Sequence, residues 1–359
     1  MLTFHPLEVT AVDRIAEDAV CVRLAVPEAL RGHFKHDAGQ YVTLRRVIDG
    51  REERRTYSLV TPPGAAELRI GVREQTGGRM SRELATRLAP GARLEVGTPM
   101  GRFRTAVDAL RARSYVAFAA GSGITPVLSL AADILAREPA SRFTLVYGNR
   151  SMSRTMFLED TLALKNRHLD RLSVYFVMSR EPQQAALLNG RIDADKVEAL
   201  AAQFTDIARA DEYFVCGPGD MVDAVRGAIQ RLNPSAPVRF ERFAAAGTSS
   251  QAARTANAAE LPPGEVLAQI SVVMDGRRRS FPMAPADASV LVAAERAGLD
   301  LPFSCRAGIC ATCRTRITEG SAVMTHNIGL ERWEVDAGFV LCCQARPTST
   351  MLKISYDEK

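Results

Sequence analysis

Tyr115-Val116-Ala117-Phe118-Ala119-Ala120-Gly121-Ser122-Gly123-Ile124-Thr125-Pro126-Val127-Leu128-Ser129-Leu130 is the most apolar stretch of this 359-residue chain. A membrane span needs about 20 predominantly apolar residues. Here Gly121, Gly123 and Pro126 interrupt the run and Asp133 ends it. Tyr115–Ala119 instead suits a buried strand, the glycines a tight turn, and Pro126 the first turn of a helix over Val127–Ala136. Downstream, the apolar strands Phe143–Tyr147, Leu172–Met178 and Glu212–Cys216 alternate with helical segments such as Met156–Leu164, the pattern of βαβ units on a parallel sheet. Upstream, Glu8–Ile15, Ala19–Val26, Gln40–Val47, Thr56–Val60, Leu68–Val72 and Arg93–Val96 are short alternating runs separated by turns, which predicts a small antiparallel β-barrel.

Hydrophobic residues at 47% and charged residues at 24% are ordinary globular values, and the length suggests two or three domains. Forty-six basic against 41 acidic residues give +5, too mild and too scattered to point to nucleic acid. The start, Met1-Leu2-Thr3-Phe4-His5-Pro6, lacks the basic and apolar regions of a secretory signal, so a cytoplasmic protein without membrane association is expected. Its five histidines show no ligand spacing. Residues 244–265 hold eight alanines, no aromatic residue and one large aliphatic residue, Leu261, and read as a linker. As a flexible coil it would span roughly 25 Å. Beyond it, Leu267–Met274, the turn Asp275-Gly276 and Arg278–Met283 predict a hairpin, Val290–Ala297 a helix and Met351–Tyr356 a last strand, together a small α+β domain.

Of seven cysteines, Cys21 and Cys216 stand alone while Cys305, Cys310, Cys313, Cys342 and Cys343 cluster near the C-terminus. An odd count in a chain without an export signal argues against a disulfide framework. Cys305-x4-Cys310-x2-Cys313, with a further cysteine 29 or 30 residues on, is the spacing of plant-type [2Fe-2S] ligation. Ala307, Gly308, Ala311 and Thr312 are small enough for the loop backbone to wrap a cluster and aim N–H groups at its sulfurs. Structural zinc is the rival, although four-cysteine zinc sites usually pair two short knuckles. A Rieske centre would need two histidines at ligand spacing. Cys342 and Cys343 compete for the fourth position.

With these residues stand Gly39-Gln40-Tyr41, Arg55-Thr56-Tyr57-Ser58, Gly77-Gly78-Arg79-Met80-Ser81, Gly97-Thr98-Pro99-Met100-Gly101-Arg102-Phe103, Gly121-Ser122-Gly123-Ile124-Thr125-Pro126, Cys216-Gly217-Pro218 and Glu241-Arg242-Phe243. In that order they resemble the ferredoxin-NADP reductase superfamily fused to a plant-type ferredoxin. The resemblance implies an FAD-binding antiparallel β-barrel over 1–105, an α/β parallel-sheet NADP-binding domain over 106–243, the linker 244–265 and an α+β (β-grasp) ferredoxin domain over 266–359. Phe4-His5-Pro6-Leu7, Tyr147-Gly148-Asn149-Arg150, Glu241-Arg242-Phe243 and the C-terminal cysteine cluster are most similar to reductase subunits of phenylacetyl-CoA epoxidase systems. Reductases of aromatic-ring and steroid hydroxylases share the architecture.

Arg55 offers a planar fork suited to a flavin pyrophosphate, Tyr57 a ring for the isoalloxazine and Ser58 a hydroxyl near its edge. Gly78, Arg79, Met80 and Ser81, opening a helix expected over Ser81–Leu88, offer backbone N–H groups to the pyrophosphate. Gly121, Gly123, Thr125 and Pro126 repeat that logic for NADPH. Cys216 and Gly217 end a parallel strand where ligand binds, and in the resembling family that cysteine lies by the nicotinamide. The resemblance adds Glu241 and Phe243 to the catalytic set, Phe243 covering the flavin. Ser179 and Arg180 resemble the pair that holds the 2'-phosphate of NADP, and Arg150 adds a second charge. Cys343-Gln344-Ala345-Arg346-Pro347 resembles the family's cysteine-x-alanine-x-proline ending, which favours Cys343 as the fourth ligand.

The implied function is electron transfer from NADPH to FAD to [2Fe-2S] to a terminal oxygenase, that of phenylacetyl-CoA epoxidase or alternatively of an aromatic-ring or steroid hydroxylase. A zinc- and flavin-binding scaffold or redox sensor without turnover is the alternative from another class. Residues 266–359 carry eleven basic and ten acidic side chains, with Arg306, Arg314 and Arg316 in or just after the cluster loop. A basic docking face toward an acidic patch on the oxygenase is therefore expected.

Overall fold

The computed structural model describes residues 3–243 and 266–358, which fall into two compact units, one within 4–243 and one within 266–358. The expected linker, 244–265, lies outside the described residues.

In the first unit β1 (Phe4–Ala16), β2 (Ala19–Ala25), β3 (Tyr41–Ile48), β4 (Arg51–Ser58), β5 (Glu67–Arg73) and β6 (Arg93–Gly97) form one antiparallel sheet in the order β4-β3-β6-β1-β2-β5. Leu59, just past β4, bridges Ile70 of β5, so the ends of the sheet meet and the barrel closes. Alternate residues such as Leu7, Val22, Leu44, Ile70 and Val96 fill its interior. β4 starts five residues before the expected Thr56, because Asp49 (φ 50°) and Gly50 (φ 72°) turn the chain so that Arg51 pairs with Ile48. The run Arg51-Glu52-Glu53-Arg54-Arg55 hid that strand from its composition. α1 (Arg79–Thr86) links β5 to β6 and begins two residues earlier than expected, with Gly78 as its N-cap.

The same unit continues through β7 (Ser114–Ala120), α2 (Ile124–Arg137), β8 (Arg142–Asn149), α3 (Leu158–Arg167), β9 (Leu172–Met178), α4 (Ala194–Gln203), α5 (Thr205–Ala208), β10 (Glu212–Pro218), α6 (Gly219–Leu232) and β11 (Val238–Phe243). These strands form a wholly parallel sheet in the order β11-β10-β7-β8-β9. The chain moves outward from β7 to β9 and then returns to β7's other side, so the order reverses between β7 and β10. Open sheets bind ligands in the crevice at that point.

Barrel and parallel sheet share a core. Ala19, Cys21, Val60 and Phe103 join Ala117, Ile124 and Phe157 in one apolar cluster. A Cβ on Gly71 of β5 would come within 2.6 Å of Phe157 and 2.8 Å of Met156 and Thr125, so glycine is what lets the seam close. Arg69 pairs with Asp160 at 2.8 Å, and Arg73 donates to the Arg154 carbonyl at 2.7 Å.

The second unit comprises β12 (Ala268–Met274), β13 (Arg277–Met283), α7 (Val290–Arg296), β14 (Arg314–Glu319), β15 (Ala322–Met324), α8 (Arg332–Asp336), β16 (Phe339–Leu341), β17 (Ala345–Pro347) and β18 (Met351–Ser355). Its main sheet runs β13-β12-β18-β14-β16, with β12 and β18 parallel and the other pairs antiparallel, while β15 and β17 pair separately. Asp275 (φ 53°) and Gly276 (φ 71°) form the expected hairpin turn, and the Asp357 carboxylate accepts both their N–H groups at 2.8 and 2.9 Å.

Candidate functional site

The carboxyl ends of β7 and β10 stand side by side, with Cys216 registered against Ala119 on one flank and Glu241 on the other. After β7 the chain enters the Gly121–Gly123 turn, where Gly121 takes φ 55°. A Cβ on Gly123 would sit 2.2 Å from the Cys216 carbonyl oxygen, so only glycine lets the turn press against β10. Thr125 and Pro126 are buried, and the Thr125 hydroxyl donates to the Ser122 carbonyl at 2.9 Å. These two residues shape the turn from below. The Ile124 N–H that opens α2 is spent on the Gly121 and Ser122 carbonyls and Pro126 has none, so what the turn offers a dinucleotide is close backbone approach at its glycines.

Cys216 is fully buried, and burial, with Glu241 beside it, pushes its thiol pKa well up. It is a neutral, small neighbour for whatever occupies the strand end. Glu241 is raised from 4.5 to about 7 by burial, against the opposing hydrogen bond from Ser58. Ser58 Oγ donates to Glu241 Oε2 at 3.4 Å, joining the end of barrel strand β4 to β11. Ser58, Cys216 and Glu241 therefore meet at one junction between barrel and parallel sheet, while Phe243 packs against the shared core and Tyr57 against the barrel interior. Burial raises the Tyr57 phenol despite Arg55 nearby, so its ring stays neutral.

On the barrel, Arg55 pairs with Glu53 at 2.9 Å and donates to the Arg54 carbonyl at 2.7 Å, keeping part of its fork on its own strand. Ser81 does not open α1 but lies in its first turn. Its hydroxyl accepts from the Gln75 N–H at 3.1 Å and donates to the Gly78 carbonyl at 3.3 Å, bracing the glycine turn. The Met80 side chain is in the barrel core and Arg79 is exposed. Gly78, Arg79, Met80 and Ser81 thus make a helix start with two built-in braces.

Arg150 and Arg180 follow β8 and β9, and the Arg180 N–H donates to the Arg150 carbonyl at 2.9 Å. Ser179 is braced likewise, to the Asn149 carbonyl at 2.9 Å. Both guanidiniums are exposed, with no ion-pair partner among the described residues. The Glu181 carboxylate, which stands where an acid would favour a free ribose, instead accepts the Met152 N–H at 2.9 Å. Sequence reasoning passed over that tie, because Glu181 and Met152 meet only once the two loops are side by side.

In the second unit four cysteines come together as two pairs. Cys310 hydrogen-bonds Cys305, and Cys313 hydrogen-bonds Cys343. The Cys305 sulfur also accepts the N–H groups of Ala307 and Cys310 at 3.4 Å each. Those donors, with the Cys310 thiol first, hold its pKa down at about 5. Arg306, Gly308 and Ala311 adopt φ of 55°, 71° and 53°, coiling the loop so that its N–H groups point inward. Gly308 is closed in by the His326 carbonyl, which a Cβ would approach to 2.7 Å. Cys342 faces the other way, hydrogen-bonded to Tyr356 and raised by burial to about 12. Among the described residues no three His, Cys, Asp or Glu side chains surround a single ion-sized point. Two thiol pairs suit two bridged irons better than one tetrahedral zinc.

The arginines of the expected basic face are all paired. Arg306 donates to Glu295 at 2.8 Å and lies over the Phe303 ring, Arg314 pairs with buried Glu334 at 2.8 Å and lies over Phe339, and Arg316 pairs with Glu358 at 3.2 Å. Their acids are distant in sequence, so the pairing was invisible there. Arg277, Arg278 and Arg279 on edge strand β13 are exposed without such partners among the described residues.

A barrel, a parallel sheet with a glycine turn at its switch point and a four-cysteine β-grasp unit define a flavin-, nicotinamide- and iron-sulfur-dependent oxidoreductase. Residues 6–105 match the oxidoreductase FAD-binding domain, 118–227 the oxidoreductase NAD-binding domain and 272–348 the 2Fe-2S iron-sulfur cluster binding domain. The chain is 38% identical to one component of the 1,2-phenylacetyl-CoA epoxidase of Escherichia coli (strain K12), covering 100% of this chain and 99% of that one. It is 31% identical to the 3-ketosteroid-9-alpha-monooxygenase ferredoxin reductase component of Rhodococcus rhodochrous, over 98% of this chain and 96% of that one. The solved structure of phthalate dioxygenase reductase shares the fold at a TM-score of 0.59 and 23% identity, with 98% of each chain covered. The chain belongs to the ferredoxin-NADP reductase type of oxidoreductase with a C-terminal [2Fe-2S] ferredoxin domain, which transfers electrons from a nicotinamide dinucleotide through FAD to the cluster. No helix among the described residues is long and apolar enough to cross a membrane.

Proposed function

We propose that this chain is the NADPH-dependent reductase component of a phenylacetyl-CoA epoxidase system, acting in the cytoplasm on a terminal oxygenase. The single observation that carries this reading is the end-to-end 38% identity with a component of such an epoxidase. The work divides among residues 1–105 for flavin, 106–243 for the dinucleotide, 244–265 as linker and 266–359 for the cluster. Bound there, these groups let a two-electron hydride donor serve a one-electron acceptor.

The residues present fit those groups. Arg55, Gly78, Arg79, Met80 and Ser81 would hold the flavin pyrophosphate, with Tyr57 and Ser58 at the ring. Gly121, Gly123 and Gly217 would leave room for the dinucleotide along the β7–β10 crevice, its turn shaped by Thr125 and Pro126, with Cys216 at the nicotinamide. Arg150, Ser179 and Arg180 would receive the 2'-phosphate, which favours NADPH over NADH. The Ser58–Glu241 carboxyl takes up and releases a proton near pH 7, and Phe243 would cover the flavin face. Cys305, Cys310, Cys313 and Cys343 would be the cluster ligands.

Reconstitution tests the reading. Mixed with the oxygenase component of a phenylacetyl-CoA epoxidase, the purified protein is expected to drive epoxidation with NADPH and much more slowly with NADH. Reduction of a steroid or ring-hydroxylating oxygenase in place of the epoxidase would contradict the assignment, and the 31% identity to a ketosteroid monooxygenase reductase makes that the second reading.

A further inference from the structure

Tyr147 ends the apolar run of β8, where its ring is fully buried. Its hydroxyl lies 2.9 Å from the Gly121 carbonyl oxygen and 3.1 Å from that of Met156. Both are acceptors, so the phenol is the donor and one proton serves two carbonyls. Burial holds its pKa far above the usual tyrosine value, so that proton is present at any working pH. Gly121, at φ 55°, turns its carbonyl into the protein, where the Ile124 N–H also reaches it. Met156 precedes Phe157, itself at φ 53°, and these two side chains fill the seam under Gly71 of the barrel. One hydroxyl therefore ties the glycine turn to the segment on which the barrel rests.

We infer that Tyr147 is a positioning residue for the nicotinamide dinucleotide: its hydroxyl holds the Gly121–Gly123 turn in the geometry that binds the coenzyme, and so sets coenzyme affinity. This rests on reading that turn as the dinucleotide site. The ring alone would fill the same space, so packing gives no reason for the hydroxyl. Removing it takes from the Gly121 and Met156 carbonyls the donor they share and leaves the turn tied only by its own Ile124 N–H, free to rotate out of the geometry that receives the coenzyme. The effect falls on binding rather than on the chemical step.

The experiment compares full-length Tyr147→Phe, Arg180→Ala and the unaltered holoprotein. NADP+ binding is read by calorimetry, NADPH oxidation with ferricyanide by rate, and FAD and iron content by absorbance and metal analysis. Tyr147→Phe is expected to raise both the Kd for NADP+ and the KM for NADPH about tenfold, with kcat, FAD and iron unchanged. A lower Tm with unchanged Kd would make the hydroxyl merely structural and overturn the inference. Should Arg180→Ala weaken NADP+ while Tyr147→Phe does not, the positioning role falls and the dinucleotide site stands. Should neither variant alter binding, the reading of the site falls as well.

Discussion

Ser58 and Glu241 are 183 positions apart in the chain yet share a hydrogen bond. Their meeting turns an ordinary strand serine and a half-buried acid into a proton-holding pair at the end of the sheet. Glu241 binds its proton more tightly folded, at about 7, than unfolded, near 4.5. Its contribution to stability is therefore fully present below about pH 4.5 and lost as pH rises through about 7. By calorimetry, the stability of the unaltered chain relative to Glu241→Gln is expected to fall between about pH 5 and about pH 8; a difference independent of pH would contradict the proton-holding pair. For the cysteines, iron analysis should find the cluster lost in Cys343→Ser and kept in Cys342→Ser, since Cys343 meets Cys313 whereas Cys342 meets Tyr356. The reverse result would reassign the ligand. Spacing in the sequence narrowed the ligand to two adjacent cysteines; both lie in the turn between β16 and β17, not on the strand that alternation would have needed, and that turn sets Cys343 against Cys313 and Cys342 against Tyr356.

At the level of elements, the continuous apolar strands of the parallel sheet were the most legible. Leu172–Met178 is β9 to the residue, and Tyr115–Ala119 lies inside β7. Elements whose bounds depend on a turn were less so: α3 begins at Leu158 rather than Met156 because Phe157 is left-handed, and β4 was masked by its charges. α4, α6 and β11 were not assigned from the sequence, although α6 runs for 14 residues and β11 carries the Glu241-Arg242-Phe243 motif, whose residues were read for their chemistry rather than as a strand. The loops after β8 and β9 were legible as charges, but not as a braced pair. From that bracing, Arg180→Ala is expected to raise the KM for NADPH by roughly tenfold or more, the worth of a charge-assisted phosphate contact, and to leave the KM for NADH nearly unchanged. Equal changes for the two coenzymes in steady-state assays would refute a 2'-phosphate site.

For the molecule as a whole, the sequence separated barrel from parallel sheet by composition. The structure joins them through a common core, with Gly71 admitting Phe157 and Arg69 reaching Asp160. That seam could not be read in advance, because each contact links segments far apart in the chain. It has a functional sense: the Ser58–Glu241 junction is fixed only if both halves are. The arginines expected to form a basic face beside the cluster are, for the same reason, found paired with acids brought in from elsewhere in the chain. The central claim is that electrons entering at the nicotinamide crevice reach a [2Fe-2S] centre in the same chain. It is tested most directly by mixing the purified protein anaerobically with less than one equivalent of NADPH, freezing it and recording its electron paramagnetic resonance spectrum beside its iron and flavin content. The account predicts two irons for each FAD and the signal of a reduced [2Fe-2S] cluster; flavin bleaching without that signal, or zinc in place of iron, would contradict it.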